Sequence, residues 1–472
     1  MGNRYPEPAP SDPWVALLVC ALMFAALAVA LWATGRGQDR TLRLLFLYLI
    51  YGLFEQVVKR AGHYAAYIYP VRYLLFAIVL VSWLADRRSG SGGRRVPLKG
   101  LLVVYLVLAG LAIFNPHLAN PVVGLFGWGS DFIFALLYFV AFDIVKDESA
   151  LRRFFGLTVW LGIASAAAAF VEQIVGPERL QEAYPQFVAL YSWGAAGRIF
   201  YRPVLLSAFM EVFAIGVMLA LLTLPKERYR RPLLLLGIFM CAVASILHGV
   251  RIAWAWMLCF FAVFVALNGR RSAWNVIGIA SCVALGIWVA VGLTEGTTLV
   301  RLKTVQTPVE TFSQNRLSGL LALPNVVESE PFGIGVGRTS PGLRFLDSGA
   351  AYAALGTHNY LTDLAGQMSV LGPLLLLSFC AATLRRGLRS LRGTDPRMRI
   401  YTSILVAFLA AYTVTFFMGL WLGGPLVTEY FWLLAGALMR WTYARSAAAE
   451  HAVAPYGVRV PGPVMPGLQP SR

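Results

Sequence analysis

Residues 153–175 read RFFGLTVWLGIASAAAAFVEQIV, and no charged residue occurs between Phe154 and Val171. A helix needs about 20 predominantly apolar residues to cross the hydrocarbon core of a bilayer. The stretch therefore predicts one membrane-spanning helix. Apolar runs of similar length recur from Val15 to Trp441, so the sequence predicts an all-α polytopic membrane protein.

The composition of the chain excludes a soluble globular protein. Of the 472 residues, 58% are hydrophobic and 13% are charged, whereas soluble proteins carry about 25% charged residues. The mean hydropathy of +0.66 agrees with this. The net charge of +17 does not indicate a nucleic-acid partner, because the basic residues fall between the apolar runs. In that position they set the orientation of a membrane protein.

The apolar runs predict thirteen membrane-spanning helices, within a range of twelve to fourteen. Their approximate bounds are 14–34, 42–58, 67–85, 98–115, 121–144, 153–175, 203–224, 232–248, 251–268, 274–293, 359–384, 400–421 and 425–441. The predicted order of segments is an N-terminal tail (1–13), N-terminal helices (14–175), a first outer loop (176–202), middle helices (203–293), a large outer loop (294–358), C-terminal helices (359–441) and a C-terminal tail (442–472). Both proline-containing tails are predicted to be disordered.

The distribution of basic residues predicts which loops face the cytoplasm. With the N-terminus outside and the C-terminus inside, most of the 40 lysines and arginines lie on the inner side, as the positive-inside rule requires. The two long loops then face outward. The larger one, 294–358, is expected to contain a short helix from Asn315 to Val327. Because long loops in compact proteins are commonly functional, this outer face is the predicted site of chemistry.

Arginine and histidine side chains collect on the predicted outer face. They occur in GRIFYRPVLLSAFMEVF with Arg198 and Arg202, in SILHGVRIAWAW with His248 and Arg251, in SQNRLSGLLALP with Arg316, and in GTHNYLTDLAGQMSVLG with His358. The guanidinium fork suits a lipid phosphate or diphosphate, and histidine accepts a proton near neutral pH. The alternatives are arginines that reach toward lipid headgroups and histidines that only cap helices.

Six carboxylates fall inside predicted spans, where a charge is costly and indicates function. They are Glu55, Asp131, Glu172, Glu211, Asp363 and Glu429. We expect Glu211 to pair with an arginine of the site, and Asp363 to orient the segment that re-enters the membrane after His358. The same set of carboxylates is also compatible with a proton-coupled transporter.

Neither a metal site nor a nucleotide site is predicted. All five cysteines lie in apolar runs without metal-ligand spacing. The glycine-rich run PFGIGVGRTS, which contains Gly333, Gly335 and Gly337, is not followed by Gly-Lys-Ser/Thr and has no βαβ context. We instead expect a tight turn with positive φ angles.

Five short motifs in a fixed order carry a resemblance to a known family. They are HGVR (248–251), NRL (315–317), EPFGIGVG (330–337), HNYL (358–361) and SVLG (369–372). In this order the chain resembles the O-antigen ligase and O-antigen/exopolysaccharide polymerase superfamily (the Wzy/WaaL type) over roughly residues 195–440. The family often has serine or threonine where Val250 precedes Arg251 in this chain.

The resemblance implies a GT-C-like helical bundle with a large, partly helical periplasmic loop in the bacterial inner membrane. It implies an inverting glycosyltransferase that needs no metal or other cofactor and uses an undecaprenyl diphosphate-linked glycan as donor. His358 would accept a proton from the acceptor, while Arg251 and Arg316 would bind the diphosphate. The remaining predicted substrate-binding residues are Arg198, Arg202, His248, Arg338, Asn359 and Tyr360.

Four functions remain as alternatives at this stage. A polymerase of O-antigen or exopolysaccharide repeat units is favoured slightly over a ligase that moves the finished glycan to lipid A–core. Membrane lipids and a chain-length regulator would be further partners. A polysaccharide or lipid transporter (a flippase) would place polar residues along both halves of a pathway, often with inverted repeats, and no repeat is evident. A structural scaffold is the fourth alternative.

Overall fold

The computed structural model describes most of the helical part of the chain. The described residues are 39–61, 69–89, 96–118, 120–176, 179, 193–195, 198–200, 207–224, 231–293, 318–337, 359–392, 395–417 and 426–453. The predicted span 14–34, the N-terminal tail and most of both long outer loops lie outside these residues.

Within the described residues the chain is helical apart from one short hairpin. The α-helices, in chain order, are α1 (Asp39–Ala61), α2 (Tyr69–Ser89), α3 (Lys99–Leu111), α4 (Pro121–Asp131), α5 (Leu137–Ile144), α6 (Glu148–Val175), α7 (Ala208–Thr223), α8 (Arg231–His248), α9 (Arg251–Asn268), α10 (Arg270–Leu293), α11 (Ser318–Leu321), α12 (Leu323–Ser329), α13 (Tyr360–Met368), α14 (Leu371–Ser390), α15 (Pro396–Phe417) and α16 (Val427–Val453). Short 3₁₀ segments, Ala112–Phe114 and Ile133–Leu136, extend α3 and precede α5.

A short β-hairpin lies in the first predicted outer loop, although the fold as a whole is predicted to be all-α. Strands β1 (Trp193–Ala195) and β2 (Arg198–Phe200) pair antiparallel, with Trp193 opposite Phe200. Only Ala196 and Gly197 separate them in the sequence, and a two-residue connection with glycine favours a tight hairpin.

The described part of each predicted span from 42–58 onward is mainly helical. Among the described residues, four helices (α6, α8, α14 and α15) are long and apolar enough to cross a membrane. A fifth candidate is α4 together with Ile133–Ile144, which are bent by 42° at Phe132. These apolar helices are compatible with a multi-pass membrane protein. The count of thirteen spans stays a prediction.

Two features of the C-terminal half differ from the predicted segments. The span 359–384 is broken between α13 and α14, where Ser369 has a φ of 64°. Pro373 lacks the N–H that a continuous helix would direct to the carbonyl group of Ser369, so the helix has to restart. The second difference concerns the tail predicted to be disordered from residue 442: α16 instead continues to Val453.

Aromatic rings fill the core between the long helices. Phe213 of α7 lies 4.8 Å from Trp256 of α9 and 5.4 Å from Tyr430 of α16, measured between ring centroids. Phe408 of α15 lies 4.9 Å from the same Trp256 ring. Because α9 packs along α15, this core joins the middle helices to the C-terminal helices. The C-terminal helix α16 also packs along α5, one of the N-terminal helices.

The two ends of the bundle differ in chemistry. At one end, here called the basic end, Glu148 forms ion pairs with Arg152 and Arg397, and Arg399 donates to the carbonyl oxygen of Leu267 at 2.7 Å. The opposite end, here called the motif end, contains the 3₁₀ turn at 112–114, the glycine-rich turn and the start of α13. The outer-face motifs that the structure describes lie at the motif end.

Candidate functional site

The glycine-rich run forms the predicted tight turn. Gly333, Gly335 and Gly337 have φ values of 76°, 95° and 94°. L-residues with a side chain rarely adopt this region, whereas glycine enters it without steric cost. The prediction of a turn with positive φ angles is therefore confirmed. Glycine occupies every second position of the turn because the backbone has a positive φ angle there.

Hydrogen bonds attach this turn to two separate parts of the bundle. The Asn115 side chain donates from Nδ2 to the carbonyl oxygen of Gly333 at 2.8 Å. The amide of Ile334 donates to the carbonyl oxygen of Gly366 in α13 at 2.6 Å. The turn thus bridges the end of α3 and the helix that follows His358.

The C-terminal end of the turn has no space for a side chain. A Cβ atom on Gly337 would come 2.5 Å from the carbonyl oxygen of Val123 and 3.1 Å from the Cα atom of Gly127. The Gly337 amide also faces the side-chain oxygen of Gln367 at 3.4 Å. The position from which Arg338 continues is therefore fixed against α4 and α13.

Asn359 determines where α13 begins. Its Oδ1 accepts from the amides of Leu361 at 3.0 Å and Thr362 at 3.3 Å, and its Nδ2 donates to the carbonyl oxygen of Phe417 at 3.2 Å. An asparagine at this N-cap position satisfies amides that have no partner within the helix. Asn359 is fully buried, so its observed role is to fix the residue that follows His358.

The first turn of α13 also holds the loop helix. The Thr362 hydroxyl donates to the carbonyl oxygen of Gly319 in α11 at 2.7 Å. Tyr360 is buried, and its ring lies 5.7 Å from that of Phe416. The loop helix predicted from Asn315 to Val327 is observed as two short helices, α11 and α12, over its described part.

The turn between the helices α8 and α9 is anchored by contacts between buried polar side chains of the bundle. His248 is buried, and its Nε2 lies 2.9 Å from Oε1 of Glu211. The Ser165 hydroxyl donates to the same oxygen at 3.1 Å. The end of α8 thus brings His248 to Glu211, a contact that was not predicted. The side chains of the predicted site arginines are not among those described, so the pairing of Glu211 with an arginine stays a prediction. Gly249, with a φ of 59°, then turns the chain so that α9 begins at Arg251.

An aromatic path links this hairpin to the start of α13. Tyr412 lies 5.7 Å from Phe213, 5.8 Å from Trp256 and 6.3 Å from Phe416, measured between ring centroids. Phe416 in turn contacts Tyr360. The segments HGVR, EPFGIGVG and HNYL therefore share one end of one packed bundle.

A buried charged cluster near the same end was missed by the sequence analysis. Arg72 pairs with Glu429, and its Nη1 lies 3.4 Å from Glu55. Tyr48 donates to Glu429 at 2.8 Å, and the guanidinium carbon stacks 4.6 Å above the ring of Phe134. Both glutamates are predicted as charges inside spans, whereas no role is predicted for Arg72.

Several predicted site residues are not placed by the structure. His358, Arg202, Arg316 and Arg338 lie outside the described residues, and only the backbone is described for Arg198 and Arg251. Of the motif segments, the described parts of HGVR, EPFGIGVG and HNYL lie at one end of the bundle. The buried His248, Asn359 and Tyr360 hold those segments in place.

The fold defines a helical protein with several apolar helices suited to a membrane. No protein-family model matches the chain, and no curated protein or solved structure is significantly similar to it. Among the described residues, no group of three or more histidine, cysteine, aspartate or glutamate side chains is arranged to hold a metal ion.

Proposed function

We propose that this protein is an inverting membrane glycosyltransferase. It moves a glycan from undecaprenyl diphosphate to a sugar hydroxyl of an acceptor, and it polymerises O-antigen or exopolysaccharide repeat units. The proposal includes thirteen spans in a GT-C-like bundle in the bacterial inner membrane, with the motif end facing the periplasm. It rests on the order of the motifs in the sequence together with their packing.

The observation that carries the proposal is the convergence of three motif segments at the motif end. The glycine-rich turn bonds to α13 through Ile334 and Gly366, and α13 begins two residues after His358. Such packing holds Asn359, the residue after His358, close to the glycine-rich turn, and a reaction between two bound substrates requires catalytic segments held near one another in this way.

In the proposed reaction His358 acts as the general base. The acceptor hydroxyl oxygen forms a bond to the anomeric carbon as its proton passes to the imidazole. The bond from that carbon to the diphosphate oxygen breaks, and its electron pair leaves with the diphosphate. Arg251 and Arg316 stabilise the negative charge that develops there. Arg198, Arg202 and Arg338 bind the rest of the donor headgroup.

The test is transfer by the purified protein in liposomes that contain an undecaprenyl diphosphate-linked oligosaccharide. We expect His358→Ala to lower the rate by at least about 100-fold, the lower range for loss of a general base. His451→Ala, the same change beyond the last predicted span, is the matched control and should keep the wild-type rate. Full activity in His358→Ala would show that the base is assigned wrongly.

The products distinguish the candidate functions. Longer lipid-linked glycans indicate a polymerase. Transfer only after lipid A–core is added indicates a ligase. Movement of the donor lipid across the bilayer without any transfer would contradict the proposal and favour the transporter.

A further inference from the structure

Two interrupted helices meet at a buried pair of polar side chains that the proposed reaction does not use. Asp131 is the last residue of α4, directly before the bend at Phe132. Gln367 lies in the last turn of α13, two positions before the break at Ser369. Asp131 is 6% and Gln367 is 2% exposed, and their side chains are hydrogen-bonded to each other. The pair thus joins α4 to α13 inside the bundle.

The glycine-rich turn packs against the same two helices. Gly337 contacts Gly127 of α4 so closely that a Cβ atom on Gly127 would collide with the Cα atom of Gly337. Gly333 contacts α13, where its own added Cβ atom would come 2.9 Å from the carbonyl oxygen of Gln367. Asp131 follows Gly127 by four positions, so the two residues share one face of α4. The pair of Asp131 and Gln367 therefore connects the two helices that hold the turn.

The chemistry of the pair fixes the orientation of the Gln367 amide. A carboxylate only accepts hydrogen bonds, so Gln367 must direct its NH2 group to Asp131. Its Oε1 then faces the Gly337 amide, 3.4 Å away. The Ser130 hydroxyl donates to Oδ1 of Asp131 at 2.8 Å and holds the carboxylate in turn. An amide at position 131 would both donate and accept, and it would therefore bind Gln367 in either orientation.

We propose that Asp131 and Gln367 are positioning residues, which set the direction in which the chain leaves the glycine-rich turn toward Arg338. This inference rests on the proposed function, in which Arg338 binds the donor headgroup. Gly337, which the Gln367 oxygen faces, is the residue directly before Arg338. A charge inside a membrane is costly and indicates function, and here the acceptor-only carboxylate selects one orientation of the amide. Because Arg338 binds the headgroup before and during the reaction, its displacement weakens donor binding and leaves the chemical step unchanged.

The test exchanges the two functional groups of the pair. Asp131→Asn should raise KM for the undecaprenyl diphosphate-linked donor about tenfold, equivalent to about 1.4 kcal/mol, because Gln367 can then turn its amide. Both kcat and KM for the acceptor should stay at the wild-type values. Gln367→Glu should also raise the donor KM, since it brings two carboxylates together. The double variant Asp131→Asn/Gln367→Glu restores one carboxylate and one amide, so its donor KM should return to within about threefold of the wild-type value.

The matched control is Asp143→Asn, the same change near the opposite end of α5. It should change neither KM value. An unchanged donor KM in Asp131→Asn would overturn the inference. Equal increases in the KM values of donor and acceptor would also overturn it, because they would indicate a general loss of structure.

Hydrogen exchange provides a second readout, which does not depend on transfer. Asp131→Asn should speed amide exchange in the peptide with residues 333–337 about fivefold, as expected for the loss of one hydrogen bond, and the double variant should restore the wild-type rate. Unchanged exchange in Asp131→Asn would overturn the inference, whatever the KM values are. If exchange changes and is restored as expected but the wild-type protein transfers nothing, the proposed function fails, and the control of the turn by Asp131 stands.

Discussion

At the scale of single residues, the ion pair between Arg72 and Glu429 provides the strongest test of how the interior of the bundle is packed. The Glu429 side chain is fully buried and also accepts from Tyr48. Glu429→Ala removes the nearer of the two carboxylates from Arg72 and the acceptor of the Tyr48 hydroxyl. Loss of one partner from a buried ion pair typically costs about 3–5 kcal/mol, and the remaining contact of Arg72 with Glu55 lowers that cost. We therefore expect Glu429→Ala to lower the unfolding temperature of the detergent-solubilised protein strongly, as measured by the loss of helical circular dichroism on heating.

The matched control is Glu148→Ala at the basic end. Glu148 also pairs with two arginines, Arg152 and Arg397, but its side chain is 24% exposed. An exposed pair of this kind contributes about 0–1 kcal/mol, so the unfolding temperature should change little. Equal losses in the two variants would show that the Arg72 cluster is not buried as the structure describes.

The same cluster shows what sequence alone could predict about single residues. Hydropathy identified Glu55 and Glu429 as charges inside spans, because a carboxylate stands out from an apolar run. It could not identify their partner, since Arg72 and Glu429 are 357 positions apart and only the packing of α1, α2 and α16 brings them together. The pairing of Glu211 with His248 was missed for the same reason.

At the scale of elements, the glycine-rich turn depends on Gly337 for both its conformation and its contact with α4. A residue other than glycine at a φ of 94° is strained by about 1–3 kcal/mol, and the Cβ atom of an alanine would also meet Val123. We expect Gly337→Ala to speed amide hydrogen exchange in the peptide that contains residues 333–337, as measured by mass spectrometry.

The control for this prediction is Gly156→Ala in α6. No atom lies within 4 Å of the Cβ atom that it would add, and alanine is favoured over glycine within a helix by about 0.5–1 kcal/mol. Exchange in the peptide with residues 333–337 should therefore stay at the wild-type rate. Unchanged exchange in Gly337→Ala would mean that the turn does not need the close contact with α4.

Elements differ in how well the sequence predicts them. Helices at the predicted spans follow from apolar length alone, because a chain in a membrane must satisfy its backbone groups internally. The bend at Phe132 and the break at Ser369 leave the average hydropathy of the run unchanged, so they were not predicted. The glycine-rich turn was predicted, because alternating glycines have a local backbone cause.

At the scale of the whole molecule, the two ends of the bundle imply an orientation. Arg152, Arg397 and Arg399 lie at the basic end, where the positive-inside rule predicts the cytoplasm. The buried pair of Glu211 and His248 lies near the motif end instead. The structure therefore separates the basic loops from the motif segments, and the proposed function requires that the motif segments face the periplasm.

Single cysteines at two positions test this orientation. Ser348→Cys falls in the loop that is predicted to lie outside, and Thr394→Cys falls in the sequence between α14 and α15. A membrane-impermeant maleimide added to intact spheroplasts should label the first variant above the level of the parent protein, and it should label the second only after the membrane is permeabilised. The parent protein is the blank, because its own five cysteines all lie in apolar runs. The reverse pattern would place His358 on the cytoplasmic side, where a glycan exposed at the periplasmic face cannot reach it, and the transferase proposal would then be wrong.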